Sequence, residues 1–485
     1  MNSDLSNLVL AQFSEFIAAH MGLHFPAERW PDLRRGIRNA ATEFGYAREA
    51  ECVRWLMCAP LTRSQIEILA SNLTVGETYF FREKRVFEIL AEQILPKLIQ
   101  ARRGGEQQLR FWSAACCTGE EAYSLAITLR RALPDLKDWQ VTILATDLNP
   151  RFLQTAALGE FGEWSFREAP AWLKEQYFEC GGGNRYAIRP EIRRMVQFEQ
   201  LNLAEDTFPL LLTDTNAMDG IFCRNVLMYF APAQAQRVVT QLQRCLVDGG
   251  WLALSATETA VAPARQFTAV NFNGTILYQK CERPLPPVVA PVVSVAWELP
   301  AVPAEEQPRA EPPPVPDARE MIQVTRELAN QGRLALALAA ADQLLLAEKL
   351  NPVAHYLRAM IVLEQGAQPE AAKALQRAVY LDHNFVIAHF ALGNLARSAG
   401  RCKEADKHFK NVLQLLDRYG QDDILPESEG MTAGRLAEIP SCRSYHRMPV
   451  LQPCCRDEVF FLCHRRRLRR KTFFPLAVVL FCKHP

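Results

Sequence analysis

The feature that most constrains the fold of this chain is an internal repeat of 34 residues in its last third. The recurring positions are Gly332, Gly366 and Gly400; Ala337, Ala371 and Ala405; Ala354 with His355, which return as Ala388 with His389; and Tyr356, which returns as Phe390. A unit of this length cannot bury its apolar face alone, so neighbouring units have to stack. Small residues at fixed positions indicate where helices cross, and the repeat therefore predicts stacked pairs of helices.

The length of the period also indicates the type of repeat. A period of 34 residues is typical of tetratricopeptide repeats, and about three of them fit between Asp317 and Tyr419. Residues 317–420 are therefore predicted to form an α-helical domain of such repeats. They contain no candidate catalytic residue, and a superhelical groove of this kind favours docking of a protein or peptide, whose identity stays open.

Two segments with different apolar patterns precede the repeats. More than one domain is expected, because 485 residues exceed what one hydrophobic core organises. Apolar residues recur at helical spacing within residues 5–21, 30–40 and 63–73, so residues 1–75 are predicted to be a small all-helical domain. Short apolar runs then alternate with helix-length segments, at residues 109–115, 141–145, 196–198, 220–223 and 251–255. This alternation predicts an α/β fold with a doubly wound, mostly parallel, Rossmann-like sheet over residues 76–282.

The remaining segments carry no catalytic pattern. Residues 283–316 are rich in proline and are predicted to be an extended linker. Residues 421–485 are predicted to be an irregular tail. After about residue 439 a basic run over residues 465–471 meets apolar residues. This end is either a membrane-surface segment or a non-native terminus, and we favour the second interpretation. The cysteines of the tail match no paired Cys-x2-Cys spacing, so no metal site is predicted.

Charge and hydropathy restrict the partners of the protein. Lys and Arg number 55 against 54 Asp and Glu, so no global field favours nucleic acid or an anionic membrane. The start of the chain has no basic signal region, and no apolar stretch reaches the ~18–20 residues that a membrane span needs. We therefore expect a cytoplasmic protein with reduced cysteines, no membrane insertion and no nucleic-acid partner.

The turn after the first predicted strand carries the first chemical signal. It holds Glu120 and Glu121 beside a single glycine, Gly119. In a doubly wound fold the ligand binds at the carboxyl ends of the strands, against this turn. A dinucleotide pyrophosphate would require several glycines and no carboxylates, so the turn favours a cationic or hydroxylated ligand. S-adenosylmethionine, a sulfonium with a ribose, has both properties. Asp147 ends the second strand, where it either accepts hydrogen bonds from the ribose or caps a helix.

Four motifs in order carry a family resemblance. They are Leu-Thr-Val-Gly-Glu-Thr-Tyr-Phe-Phe-Arg-Glu at residues 73–83, Trp-Ser-Ala-Ala followed by Thr-Gly-Glu-Glu-x-Tyr-Ser within residues 112–124, Asn-Leu at 202–203, and Ile-Phe-Cys-Arg-Asn-Val-Leu-Met-Tyr-Phe at 221–230. Together they resemble the CheR type of chemotaxis-receptor methyltransferase over roughly residues 5–282. Repeats behind a proline-rich linker also resemble the branch of this family found in surface-sensing, biofilm-controlling signalling systems.

The resemblance implies a role for each matching residue. The implied cofactor-binding residues are Thr78, Arg82, Glu120, Asp147, Asn202, Leu203, Arg224 and Asn225. Arg82 would face the carboxylate of the methionine part, a contact that suits a planar guanidinium. Glu120 would approach the amino group, Asp147 the ribose, and Asn202 with Leu203 the adenine.

The implied catalytic residues follow the fourth strand. Arg224 and Tyr229 would face the reacting centre and orient groups without exchanging protons, with Tyr229 nearest to the transferred methyl group. Two positions depart from the family pattern. Gly76 stands where many members carry Asn, and cysteines occupy positions 116 and 117 of the turn. Cys117 is a poor nucleophile because the neighbouring carboxylates raise its pKa.

The predicted function is transfer of a methyl group from S-adenosylmethionine to glutamate carboxylates of a chemoreceptor, giving methyl esters and S-adenosylhomocysteine. Glutamate is ionised at neutral pH, so the displacement needs no general base. The alternative is a non-catalytic scaffold that binds the cofactor and acts through its repeats.

The receptor's cytoplasmic coiled coil is the predicted protein substrate. Arg34, Arg35 and Arg38 form a basic face that either attracts this acidic coiled coil or is a solvated surface. Residues 159–197 resemble the family's small β-subdomain, whose loop is short here and favours recognition that does not need the receptor's terminal tether.

Overall fold

The computed structural model describes residues 5–105, 107–205, 208–209, 215–261, 267–281, 318–421, 423–428 and 430–438. The predicted proline-rich linker and the cysteines of the predicted tail lie outside these residues. Within the described ranges, no helix is both long and apolar enough to cross a membrane.

The chain begins with a helical layer. Its helices are α1 (Asn7–Met21), α2 (Trp30–Glu43), α3 (Glu49–Leu56) and α4 (Arg63–Leu73). Leu10, Phe13 and Ile17 recur at helical spacing on α1 and are completely buried in its core. Helix α4 begins with a capping box, in which Thr62 and Gln65 satisfy each other's backbone N–H groups.

The central sheet confirms the predicted doubly wound α/β fold. Helices α5 (Lys84–Ile89) and α6 (Leu95–Arg102) lead into it. Its strands are β1 (Gln108–Ala114), β2 (Gln140–Asp147), β6 (Val196–Gln200), β7 (Met218–Phe222), β8 (Leu246–Ala253), β9 (Phe267–Phe272) and β10 (Thr275–Lys280), in the order β6-β2-β1-β7-β8-β10-β9. The first five strands in this order are parallel to one another, and β10 pairs antiparallel with β8 and β9.

Helices cover both faces of this sheet. They include α7 (Glu120–Ala132), α8 (Pro150–Leu158) and α11 (Pro232–Cys245). Alternate residues of β1 point to opposite faces, because side chains alternate along a strand. Phe111 therefore belongs to the core beside α7, while Trp112 belongs to the core beside α11. Chain order reverses at β1, between β2 and β7, and this switch point is where such folds bind ligands.

A small antiparallel sheet follows α8. It contains β3 (Glu160–Gly162), β4 (Phe178–Cys180) and β5 (Arg185–Ile188), in the order β3-β5-β4, with helices α9 (Trp172–Tyr177) and α10 (Pro190–Arg193) beside it. Phe80 packs into it, with its ring centroid 4.8 Å from that of Phe161 and 5.1 Å from that of Phe178. This aromatic contact fixes the segment that connects the helical layer to the sheet.

The repeats form three pairs of helices within the described residues. The pairs are α12 (Ala318–Asn330) with α13 (Leu334–Ala347), α14 (Pro352–Glu364) with α15 (Gln368–Leu381), and α16 (Val386–Ser398) with α17 (Cys402–Leu416). Gly332, Gly366 and Gly400 end the first helix of each pair with φ of 73°, 79° and 73°, a conformation that glycine adopts without strain. A short helix, α18 (Ala433–Glu438), follows in the segment predicted to be irregular.

The repeats pack against the amino-terminal edge of the central sheet. A Cβ on Gly332 would lie 2.9 Å from the Val247 side chain, and Gln108 and Gln140 donate hydrogen bonds to the carbonyl of Glu364 at 3.2 and 3.4 Å. The Glu364 carboxylate lies 3.8 Å from the Arg110 guanidinium, and both side chains are buried. This packing leaves the carboxyl-terminal edge of the sheet open for a ligand.

Candidate active site

A cleft of about 1040 Å³, including its solvent-facing part, lies at the carboxyl ends of β1, β2 and β7. The helical layer closes its other side through Met21, Leu23, Phe25 and Arg29. Eight side chains singled out in the sequence stand in or beside its wall. The structure brings Thr78, Arg82, Asp147, Asn202, Leu203, Arg224, Asn225 and Tyr229 together around it.

Asp147 is the buried acid at the end of β2. Its carboxylate accepts hydrogen bonds from the backbone N–H groups of Cys117 and Asn149, both at 2.8 Å. Burial raises the pKa of Asp147 to about 6, although these two hydrogen bonds act in the opposite direction. The helix cap that follows is Asn149, which accepts from the N–H groups of Arg151 and Phe152. Asp147 is therefore not the cap of this helix, and it lines the cleft.

The acidic turn after β1 places its two glutamates in different directions. Glu121 lines the cleft, whereas Glu120 turns away from it and accepts hydrogen bonds from Thr118 at 2.7 Å and Ser165 at 2.9 Å. Burial raises the pKa of both carboxyls. The structure thus brings Glu121, which the sequence analysis did not select, to the cleft wall. The contact of Glu120 with the amino group of the ligand stays a prediction.

Arg82 and Thr78 approach the cleft from the segment before α5. The Arg82 guanidinium donates to the carbonyl of Glu77 at 2.7 Å and lies 5.8 Å from the centre of the Tyr79 ring. The carbonyl of Thr78 accepts a hydrogen bond from Arg167 at 3.3 Å. Arg82 is only partly buried, so its guanidinium keeps donors that can turn toward an anionic group in the cleft.

Arg224 is held in an ion-pair network at the end of β7. Its side chain is 1% exposed, and its guanidinium lies 3.0 Å from Glu121 and 3.2 Å from Glu83. It also donates to the carbonyl of Arg82 at 2.7 Å. These partners fix the guanidinium, and Arg224 therefore positions both the acidic turn and the Arg82 segment. Within the described residues its Nε is buried without a hydrogen-bond partner.

The loop that carries Asn225 is organised by a carboxylate that the sequence analysis missed. Glu258 is 2% exposed and accepts hydrogen bonds from four consecutive backbone N–H groups, those of residues 225, 226, 227 and 228, at 2.8, 2.7, 2.7 and 3.3 Å. Asn225 itself has a φ of 58°, a conformation that Asn tolerates better than most residues. Glu258 therefore holds the loop in the shape that presents Asn225 and Tyr229 to the cleft.

The far wall of the cleft joins the sheet to the helical layer. The carbonyl of Tyr229 accepts a hydrogen bond from the N–H of His24 at 2.7 Å, and Arg29 lies 5.2 Å from the centre of the Tyr229 ring. The side-chain amide of Asn202 donates to the carbonyl of His20 at 2.9 Å, and Leu203 is 5% exposed. Arg29 thus brings a cation to the cleft, which helical periodicity alone could not reveal.

The arginines predicted to bind substrate lie outside the cleft, on α2. Arg34 is partly buried and donates to Asn7 at 3.2 Å. Arg35 and Arg38 are exposed and pair with Asp32 and Glu49, both at 2.8 Å. Exposed pairs of this kind are weak, so these cations can exchange partners with an acidic surface. Their role in substrate binding stays a prediction.

The two departures from the family pattern have structural counterparts. A Cβ on Gly76 would lie 2.8 Å from the ring of Phe152, which lines the cleft and takes the space that a larger residue would need. Burial raises the pKa of the Cys117 thiol, and Asp147 and Glu120 raise it further. Cys117 is therefore protonated near neutral pH and is a poor nucleophile.

Sequence comparisons relate this cleft to known proteins. Residues 76–275 match the family model described as CheR methyltransferase, SAM binding domain. The chain is 35% identical to chemotaxis protein methyltransferase 1 of Pseudomonas aeruginosa over 219 residues, which cover 44% of this chain and 77% of that relative. It is 31% identical to a probable chemotaxis protein methyltransferase of Rhizobium etli, over 48% of this chain and 84% of that relative.

Among solved structures, the second TPR of Spaghetti (RPAP3) bound to the HSP90 peptide SRMEEVD is similar at 24% identity and a TM-score of 0.20. That similarity covers 21% of this chain and 93% of the solved one. The P58(IPK) TPR domain is similar at 26% identity and a TM-score of 0.21, over 25% of this chain and 31% of the solved one.

Proposed function

Because the chain belongs to the CheR family of chemotaxis methyltransferases, we propose that its cleft binds S-adenosylmethionine through Asp147, Arg82, Thr78, Asn202 and Leu203. The protein is an S-adenosylmethionine-dependent methyltransferase that transfers methyl groups to glutamate side chains of a chemoreceptor. The observation that supports this cleft most strongly is the position of Asp147, a buried acid at the carboxyl end of β2 beside the switch point of the sheet.

The chemistry of the cleft wall fits the cofactor. Asp147 offers a carboxylate to the two ribose hydroxyls, and Leu203 offers an apolar surface to the adenine. Arg82 suits the carboxylate of the methionine part, and Glu121 suits its ammonium group. In this proposal Glu120 acts indirectly, through its hydrogen bonds to Thr118 and Ser165. The cleft thus offers charged groups to the zwitterionic methionine part of the ligand, and a carboxylate and an apolar surface to its nucleoside.

The reaction requires alignment more than proton transfer. When bound, S-adenosylmethionine supplies the methyl group on a positively charged sulfur, which leaves as a neutral thioether. A bond forms between the glutamate carboxylate oxygen and the methyl carbon while the carbon–sulfur bond breaks, and its electron pair stays on sulfur. The carboxylate is already ionised at neutral pH, so the residues of the cleft have to orient it and exclude water.

Tyr229 and Asn225 are the residues we propose for orienting the reacting carboxylate. Both lie on the loop that Glu258 holds, and Arg29 packs over the ring of Tyr229 at the same wall. A cation at this position attracts the substrate carboxylate into the cleft. Arg224 acts by fixing Glu121 and the carbonyl of Arg82, as its ion pairs indicate.

Recognition of the receptor involves surfaces outside the cleft. We propose that Arg34, Arg35 and Arg38 of α2 face the acidic cytoplasmic coiled coil of the receptor. The small sheet has a short hairpin over residues 181–184, which favours recognition without the receptor's terminal tether. Because cofactor and receptor coiled coil are both cytoplasmic, the protein acts in the cytoplasm, and its repeats dock a further protein or peptide.

Transfer of radiolabelled methyl groups to the cytoplasmic part of a chemoreceptor encoded beside this protein tests the proposal. We compare the wild type with Asp147→Asn and with Asp138→Asn, the same chemical change at an exposed position at the other end of β2. Base-labile label that is lost in Asp147→Asn and kept in Asp138→Asn supports carboxyl methylation through this cleft. If the protein binds the cofactor but labels no receptor, the proposed methyl transfer is wrong and the non-catalytic scaffold is favoured.

A further inference from the structure

The first helices of the second and third repeats are buried on every side. On α14 the residues 354–357 and 359–362 are all buried, and on α16 the residues 386–393 are. A helix that packs on one side only buries a stripe of its residues. The first helices of such repeats line the concave face of the array, so more than their partner helices has to cover α14 and α16. The sheet does so only at the end of α14, where it contacts Glu364.

Repeat spacing shows which residues form this inner face. Gly393 of α16 faces the second helix of its own repeat, since a Cβ there would lie 2.5 Å from the ring of Phe409. The next residue, Asn394, points away from that contact, and its equivalents one and two repeats earlier are Met360 and Arg326. Met360 is 4% exposed and belongs to one apolar core with Leu425 and Met431. Glu364, one turn further along the same face of α14, contacts the sheet instead.

The described residues of the segment 421–438, which are 421, 423–428 and 430–438, reach this face. Leu425, Met431, Ala433 and Leu436 are at most 3% exposed and belong to the same apolar core as the repeat helices. The segment folds back on itself, with a backbone bridge between Ile424 and Thr432 and a hydrogen bond from the N–H of Leu425 to the carbonyl of Met431 at 2.9 Å. It is thus a compact apolar structure and not an extension of the last helix.

One ion pair shows how far the segment extends. Glu427 pairs with Arg326 on α12, the first helix of the array, while α18 packs beside α17, the last helix. The segment therefore spans the array from its last repeat to its first. Because the second helices of such repeats lie on the outside of the array, we infer that the path from α17 to Arg326 runs over the inner face.

We propose that residues 421–438 are a built-in ligand of the repeat groove, held by Leu425 and Met431 on the apolar inner face and by Glu427 on Arg326. While the segment is in place, the groove is closed to outside peptides, and a docking partner has to displace it. Because the segment is tethered, it competes at an effective concentration in the millimolar range. The repeats are then a gated docking surface at the edge of the sheet opposite the methyl-transfer cleft.

A labelled peptide of residues 421–438, added to the full-length protein, tests this proposal by fluorescence anisotropy. The wild type should bind it at least about tenfold more weakly than the variant Leu425→Asp/Met431→Asp, whose own segment is released. A peptide with Glu427→Arg should bind the released variant more weakly, and Arg326→Glu in the protein should restore its binding. An unchanged helical circular-dichroism signal and an unchanged thermal transition show that the repeats of the variant are folded. Equal binding by wild type and released variant, or no binding by a folded released variant, overturns the proposal.

Hydrogen exchange on the full-length protein tests the same contact without removing apolar residues. The amides of Leu425 and Leu436 donate to backbone carbonyls within the segment, so they should exchange slowly in the wild type. Arg326→Glu should speed their exchange, and Arg326→Glu/Glu427→Arg should slow it again. If Arg326→Glu does not change the rate of hydrogen exchange, or if the charge-swapped double variant does not slow it again, the proposed position of the segment is wrong.

Discussion

In the proposed function, Asp147 is the side chain whose ionisation is most directly linked to cofactor binding. Its pKa is raised to about 6 by burial, and only the ionised form accepts hydrogen bonds from both ribose hydroxyls. Binding therefore favours the carboxylate, so affinity is full above this pKa and declines below it by about tenfold per pH unit. We expect calorimetric titration with S-adenosylhomocysteine to show this decline as the pH falls through about 6.

Asp147→Asn provides the control for this pH dependence. The amide keeps the shape of the side chain but cannot ionise, so its affinity should be low and should not change through the same pH window. A wild-type profile that is also flat through pH 6 would show that Asp147 does not contact the ligand.

Glu258 is the residue on which the shape of the 225–229 loop depends. In Glu258→Gln one carboxylate oxygen becomes an amide NH2, which cannot accept the backbone N–H groups now bound there. Each buried donor left without an acceptor costs about 1–3 kcal/mol, so we expect a loss of at least that size in urea denaturation. We also expect a lower kcat, because the loop carries Tyr229.

Thr257→Val is the matched control for Glu258→Gln. Thr257 is the adjacent residue, is exposed, and its hydroxyl lies 3.1 Å from that of Ser255. A stable Glu258→Gln protein with unchanged kcat would refute the positioning role of this carboxylate.

At the scale of elements, the contact between the repeats and the sheet depends on Glu364 at the end of α14. Its carboxylate accepts a hydrogen bond from Asn216 at 2.9 Å and pairs with Arg110 on β1. Removing one member of a buried pair costs about 3–5 kcal/mol. We therefore expect Glu364→Ala to lower the free energy of unfolding by about this amount, while Glu370→Ala, an exposed glutamate on the neighbouring helix, changes it little.

Cofactor affinity gives the second measurement on Glu364→Ala. The contact is at the amino-terminal edge of the sheet and the cleft is at the carboxyl-terminal edge, so the affinity for S-adenosylhomocysteine should stay within about twofold, an effect below ~0.5 kcal/mol. A large loss of affinity would instead show that the repeats support the cleft.

Some elements of the fold were predictable from their own residues, and others were not. Strands β1, β2, β6 and β7 were predictable because each is a short apolar run between helix-length segments. Strand β9 forms the antiparallel edge and exposes Thr268 and Asn271, so its apolar signal is weak. Strand β10 has an apolar run of only three residues, 276–278. Residues 421–438 were predicted to be irregular although α18 lies among them, because a helix of six residues is too short to give a periodic apolar signal.

Within the site, the sequence predicted the residue types better than their directions. Two glutamates after Gly119 were visible, but consecutive positions on a helix point about 100° apart. The geometry of the turn therefore decides that Glu121 faces the cleft while Glu120 faces Ser165. Arg29 and Glu258 reach the site from distant parts of the chain, and no spacing rule joins them to the motifs.

At the scale of the whole molecule, the two surfaces to which we assign functions lie on opposite edges of one sheet. The cleft uses the carboxyl ends of the strands, where the helical layer closes it, and the repeats use the amino ends. A partner on the repeats therefore does not compete with a receptor for space at the cleft. We propose that surfaces around the cleft recognise the receptor, and that the arginines of α2 contribute to them.

Charge reversal on α2 tests this division of roles. In the variant Arg34→Glu/Arg35→Glu/Arg38→Glu we expect the KM for the receptor fragment to rise roughly tenfold, since each exposed pair contributes about 0.5 kcal/mol and 1.4 kcal/mol is a factor of ten. Added salt should narrow the difference between variant and wild type, because it screens exposed charges. The KM for S-adenosylmethionine should not change, since the three arginines lie outside the cleft.

The matched control reverses the same number of charges far from the cleft. Lys403, Lys407 and Lys410 are exposed on α17, so replacing them by Glu changes the net charge of the protein equally. If both triple variants raised the KM for the receptor to the same extent, the effect would come from net charge, and α2 would have no specific role. A rise confined to the α2 variant, and reduced by salt, identifies α2 as the surface that meets the acidic coiled coil, because only a local field distinguishes two variants of equal net charge.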